Sequence, residues 1–117
     1  LVPYPTLFRS RPVSHFQNTR FKLAEMRTQV DVAQVFTDRC VMDHNQKKLS
    51  PEVAAEAKLF TTELLCKVVD EGVQLHGGWG YMWEYPICKM YANARIQRIF
   101  AGTSEIMKEI ISRGMKL

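Results

Sequence analysis

The chain has 117 residues and a formal net charge of +4, with 46% apolar and 24% charged residues; these near-average globular values exclude collagen-like, disordered and membrane-embedded classes. Its basic residues are interleaved with acids rather than gathered into a stripe, which argues against a nucleic-acid partner. No apolar run approaches the roughly 18 residues of a membrane span and no charged-then-apolar leader stands out, so a soluble intracellular protein is the expectation.

Leu1 to Ser10 carry Pro3 and Pro5, with Pro12 close behind. Prolines at that density exclude a continuous helix, so residues 1–10 read as an irregular, non-native arm and residues 11–117 as the domain. From Val13 to about His44 the apolar residues Phe16, Leu23, Met26, Val30, Ala33, Phe36 and Cys40 recur at steps of three, four and seven. That is the stripe of a long amphipathic helix. Ser50-Pro51-Glu52 then supplies an N-cap, a first-turn proline and a dipole-matched acid. A second helix runs from Pro51 to about Leu75, with Ala57, Phe60, Leu64 and Val68 inward, and stops at Gly77-Gly78. Tyr85-Pro86 opens a third, carrying Ile87, Met90, Tyr91, Ala94 and Ile96. Thr103 or Ser104 caps a fourth through Met115, where Ile106, Met107, Ile110 and Ile111 form the inner face. Four helices and no convincing strand predict an all-α fold, an antiparallel four-helix bundle.

Cys40, Cys66 and Cys88 form no CxxC pair, and His15, His44 and His76 share no helix-face spacing with them, so no metal site is expected. No GxSxG, HExxH or P-loop pattern occurs, and Gly77-Gly78-Trp79-Gly80 follows a helix rather than a strand, which excludes the usual dinucleotide fingerprint. Two segments stand out. Gln74 to Tyr85 concentrates three glycines and both tryptophans, either as a helix stop docking two aromatics into the core or as a surface where a ligand or second chain approaches the backbone. The Gly102-Thr103-Ser104 helix start exposes amides that suit an anion. Together they suit an anionic, aromatic cofactor; the alternative is simple helix capping at both places.

The same residues carry a family resemblance. Gln74-x-x-Gly77-Gly78-x-Gly80-Tyr81, Tyr91-Ala92-Asn93-Ala94-Arg95-Ile96 and Ile99-Phe100-Ala101-Gly102-Thr103-Ser104-Glu105-Ile106 resemble, in order, the C-terminal signature of the acyl-CoA dehydrogenases. Arg11-Pro12-Val13-x-x-Phe16-Gln17 followed by Phe21-x-Leu23-Ala24-Glu25-Met26 is similar to the opening of the same domain. The resemblance implies a flavoprotein of fatty acid metabolism that dehydrogenates acyl-CoA thioesters at the α and β carbons with FAD, passing electrons to an electron-transfer flavoprotein. It places Gln17, Gln74, Leu75, His76, Gly77, Gly78, Thr103, Ser104 and Glu105 against FAD and Gly102 beside the acyl substrate. FAD shared between subunits implies a homo-oligomer, a dimer or tetramer. The location implied is the cytoplasm for a bacterial protein and the mitochondrial matrix for a eukaryotic one.

Three departures shape the expectation. Many members place a glutamate base before Gly-Thr, where this chain has Ala101, so no catalytic residue is assigned. Long-chain and isovaleryl-type members, which resemble this chain in Trp79 to Tyr85, take their base from an earlier helix, upstream of Leu1. The family's Arg-x-x-Phe-Gly is not matched at Thr6, Arg9 and Ser10. The domains that complete the flavin and acyl pockets are missing as well. The chain therefore reads as a fragment inactive alone, the alternative being a non-catalytic helical self-association module built on that scaffold.

Overall fold

The computed structural model describes residues 7–8 and 11–117. Four helices dominate: α1 (Gln17–Asn45), α2 (Pro51–His76), α3 (Pro86–Ile96) and α4 (Ser104–Gly114). The all-α expectation holds. A two-residue ladder precedes them, in which β1 (Leu7–Phe8) pairs antiparallel with β2 (Arg11–Pro12). Leu7 and Phe8 fall in the segment read as irregular, and this short ladder leaves the all-α class unchanged. Prolines that exclude a helix are compatible with short edge strands, and a search for helical period is blind to them. The mismatch at Thr6, Arg9 and Ser10 lies outside the described residues.

The first helix also starts later than its apolar pattern. Val13–His15 forms a 3-10 turn, Phe16 is extended (φ −78°, ψ 137°), and α1 begins at Gln17 with no side-chain cap. α1 closes where Lys47 turns left-handed (φ 58°) and the Lys48 amide donates to the Asp43 carbonyl at 2.8 Å. α2 starts as its residues dictate: the Ser50 hydroxyl accepts from the Val53 amide at 3.3 Å, with Pro51 at the first position and Glu52 in the first turn.

α2 is the hub against which the other three helices pack. α1 lies antiparallel to it, pinned by Lys22 Nζ to Glu71 Oε2 at 2.8 Å. α3 approaches where Gly72 has no side chain: a Cβ there would stand 2.7 Å from Ile87 Cδ1. Farther back along α2, the Cys66 thiol donates to the Ala94 carbonyl at 3.3 Å. α4 continues the line, with Ser104 beside Glu63 and Gly114 against Glu52. α3 and α4 thus follow each other along α2, both antiparallel to it.

The resulting core is thin. Its buried apolar members are Ala33, Cys40, Ala55, Leu64, Val69, Ala94 and Met107. Small residues dominate because they permit close helix approach. Leu23 and Val30 on α1, Phe60 on α2, Met90, Tyr91 and Ile96 on α3 and Ile106 on α4 are exposed, although their spacing predicted inward positions. Periodicity marks an apolar face without saying whether its partner lies in the same chain. The radius of gyration, 17.2 Å, exceeds the roughly 13 Å of a compact domain this long. Elongation and uncovered apolar faces have one origin, an open layer of helices.

Candidate functional site

The end of α2 forms the first cluster. Gln74 is exposed, and Leu75 and His76 are half-buried. His76 Nδ1 lies 2.7 Å from the Gly72 carbonyl oxygen; a carbonyl only accepts, so Nδ1 donates to it and Nε2 is left for another partner. Gly77 ends the helix at φ 60°, ψ −144°, a conformation open to glycine and little else. A 3-10 helix, Gly77–Tyr81, follows. The three glycines there have different reasons. A Cβ on buried Gly80 would meet the Val73 carbonyl oxygen at 2.7 Å, so that glycine serves packing. A Cβ on Gly77 or Gly78 would meet nothing within 4 Å, and Gly78 has no positive φ either. Nothing among the described residues requires glycine at 78.

The aromatics beside it face outward. Trp79 is 56%, Tyr81 85% and Trp83 61% exposed, and Trp79 meets Tyr85 with ring centroids 5.6 Å apart. The segment therefore does not dock two tryptophans into the core. Because α1 runs antiparallel to α2 from the Lys22–Glu71 pin, exposed Gln17 at the start of α1 stands level with this end.

The α3–α4 turn forms the second cluster. Ala101 (φ 51°) and Gly102 (φ 106°) are both left-handed. Thr103 caps α4, its hydroxyl accepting from the Ile106 amide at 3.2 Å. Ser104 is buried; its hydroxyl donates to Glu63 Oε1 at 2.7 Å and its amide to the Arg98 carbonyl at 3.1 Å. Arg98 Nε donates to the same Glu63 oxygen at 2.8 Å. Glu63 therefore ties the end of the α3 segment to the start of α4. The Ser104 hydroxyl, then the Arg98 guanidinium, hold the Glu63 carboxyl below the ordinary carboxylate range. At exposed Glu105 its own amide and then the Thr103 hydroxyl do the same.

Sequence reasoning missed Glu63, Arg98 and Lys58, whose ammonium donates to the Phe100 and Gly102 carbonyls. The available signal was register: Lys58 follows buried Ala55 by three residues, which puts a charge on an inward face of α2. Glu63 and Arg98 together wall a groove of about 530 Å³ between α2 and α4, floored by Leu59, Phe60 and Ile111.

A depressed carboxylate contributes stability above its unfolded pKa, near 4.5 for Glu63, and that contribution disappears as pH falls through the folded value. Glu63→Gln is therefore expected to flatten part of the acid limb of the stability profile below about pH 4.5, the rest belonging to other carboxylates such as Glu52 and Glu105. Urea midpoints between about pH 3 and 6 read this directly. A variant curve parallel to the parent's throughout would refute the role given to Glu63.

The two clusters do not meet in one chain. From Glu63 to Gln74 the rise along α2 is roughly 16 Å. Gln17 and Gln74 to Gly78 share one end of the hub, while Gly102 to Glu105 sit beside its middle. Among the described residues no group of three or more His, Cys, Asp or Glu could hold a metal ion, and no helix is long and apolar enough to cross a membrane.

Comparison with known proteins matches this geometry to a family. Residues 6–116 match the model of the acyl-CoA dehydrogenase C-terminal domain. The mitochondrial long-chain specific acyl-CoA dehydrogenase of Mus musculus is 50% identical over 103 residues, covering 88% of this chain and 24% of the relative. Among solved structures, the acyl-CoA dehydrogenase of Geobacillus kaustophilus superposes with a TM-score of 0.92 at 40% identity, covering 95% of this chain and 29% of that one. The acyl-CoA dehydrogenase of Bacillus anthracis complexed with FAD gives 0.84 at 32% identity, covering 94% and 22%. The chain spans about a quarter of the length of the curated relatives it matches.

Proposed function

This chain belongs to the acyl-CoA dehydrogenase family, and from that premise we propose that it supplies the C-terminal flavin-facing and assembly portion of an FAD-dependent enzyme that dehydrogenates acyl-CoA thioesters. The observation that carries the reading is Gly78, a glycine with open space where a Cβ would be and no left-handed backbone. Such a position is explained by a neighbour outside the chain. With Gly77, His76 Nε2 and Gln17 at the same end, the residues present fit a ring-bearing cofactor with polar edges. FAD, when bound, supplies the hydride acceptor.

The separation of the clusters fits sharing of flavin between subunits of a homo-oligomer. In that arrangement Gln17 and Gln74 to Gly78 orient a flavin held mainly by a neighbouring subunit, while Thr103, Ser104 and Glu105 line the chain's own, with Gly102 beside the acyl group. Ser104 acts there through its backbone, since its hydroxyl is engaged by Glu63. Neither Ala101 nor Glu105 suits the proton acceptor: Ala101 has only a methyl group, and the Glu105 carboxyl is held low, the wrong direction for a base working near neutral pH. An electron-transfer flavoprotein is the partner that reoxidises the enzyme. The matrix of mitochondria or the bacterial cytoplasm is its place.

The uncovered apolar faces of α1, α3 and α4 favour one further reading, a self-association module that retains the scaffold without the chemistry. One graft separates the two. Residues 11–117 replace the matching quarter of the Mus musculus long-chain relative. The graft is expected to purify with flavin and dehydrogenate acyl-CoA, while the chain alone holds FAD weakly and turns nothing over. A graft that assembles but stays colourless would leave only the module.

A further inference from the structure

Lys58 reaches from α2 to the turn between α3 and α4. Its ammonium donates to the Phe100 carbonyl at 2.7 Å and to the Gly102 carbonyl, and lies 5.8 Å from the centroid of the Phe100 ring. The residue between those two carbonyls is Ala101, left-handed at φ 51°. An L-residue with a Cβ is disfavoured there and persists only where its surroundings over-determine it. Gly102 follows at φ 106° without that penalty. A compact ammonium with three donors can gather two carbonyls two residues apart, which no apolar contact would do.

The other end of the turn is held separately. The Ser104 amide bonds the Arg98 carbonyl and the Ser104 hydroxyl bonds Glu63. Two charged residues of one rigid helix, Lys58 and Glu63, thus fix both ends of a segment that has no regular structure of its own. The cation–π contact adds direction, because it brings the exposed Phe100 ring to the same ammonium.

We propose that Lys58 is the positioning residue of this turn: by drawing the Phe100 and Gly102 carbonyls to one point it enforces the left-handed pair Ala101-Gly102 and so sets where Gly102 to Glu105 face flavin and acyl group. What the turn faces rests on the function proposed above; how it is held does not. Lys58 touches neither cofactor nor substrate in this account and acts through the backbone.

The test uses the full chain, isotope-labelled for NMR, with Lys58→Met, Lys58→Arg and, should the methionine variant not fold, Lys58→Glu, which keeps a polar side chain but has no donor. The methionine variant is expected to lose the left-handed coupling and shift signature of Ala101 and Gly102, and to exchange the Ser104 amide about tenfold faster. Resonances of α1 and of the α1–α2 contact stay in place. Arginine, which can also donate to two carbonyls, restores the signature. Added FAD is expected to shift the Thr103 to Glu105 amides in the parent and the arginine variant but not in the methionine variant. An intact turn signature in Lys58→Met, or equal FAD-induced shifts in it and the parent, overturns the role of Lys58. Absence of FAD-induced shifts from the parent leaves the flavin reading to the graft described above, and the turn signature alone then decides Lys58.

Discussion

Leu64→Ala is expected to destabilise the chain by about 2–3 kcal/mol, the lower part of the range for a buried leucine because an open layer can relax into the space. Leu64 and Met107 are the largest aliphatic side chains in a core otherwise made of alanine, cysteine and valine, and among the described residues no side chain is wholly buried. Such a core has little to lose before a domain of ordinary marginal stability unfolds. The informative control is Phe60→Ala on the same helix. Phenylalanine is larger, so volume alone predicts the greater cost; yet Phe60 is 42% exposed against 9% for Leu64. Burial predicts the reverse order, with the loss at Phe60 appearing in association rather than in folding. Urea denaturation at several protein concentrations separates the two quantities. If Phe60→Ala proves costlier than Leu64→Ala at every concentration, the assignment of the core to the α2 hub is wrong.

That contrast shows where the sequence was legible. Caps and breakers are local, and they placed α2, α3 and α4 within a residue or two: Ser50-Pro51 starts α2, Tyr85-Pro86 starts α3, and Thr103 caps α4. Which apolar residue is inside is not local. Phe60 and Ile106 sit at helical spacing on apolar stripes, but none of the described residues covers them. The later start of α1 and the β1–β2 pairing were missed for a related reason, since extended backbone at Phe16 and Pro12 leaves no mark on a 3.6-residue period. At the site, glycines and aromatics drew attention because their composition is unusual. Lys58 and Glu63 did not, because a charged residue on a helix is ordinarily a solvated one and only the fold brings them to the turn.

Gly78→Leu is expected to leave folding intact and to weaken flavin retention in the grafted enzyme by roughly tenfold or more, a change of about 1.4 kcal/mol or greater. The neighbouring glycines cannot deliver this separation. At Gly77 the φ of 60° strains any side chain, and at Gly80 a Cβ meets the Val73 carbonyl, so substitution at either damages the chain itself. At Gly78 the space is open and the φ ordinary. Leucine also narrows the unfolded ensemble relative to glycine, so the isolated chain is expected to keep or slightly raise its urea midpoint. Open space in one chain is occupied space in the assembly if this segment meets flavin held by another subunit. The isobutyl group would then hold backbone and flavin apart by about the width of a methylene or more, enough to break contacts that depend on van der Waals approach. Flavin content after gel filtration reads the effect. A leucine graft that retains flavin as well as the parent would show that the glycine faces solvent in the assembly too, and the sharing of the cofactor between subunits would have to be abandoned.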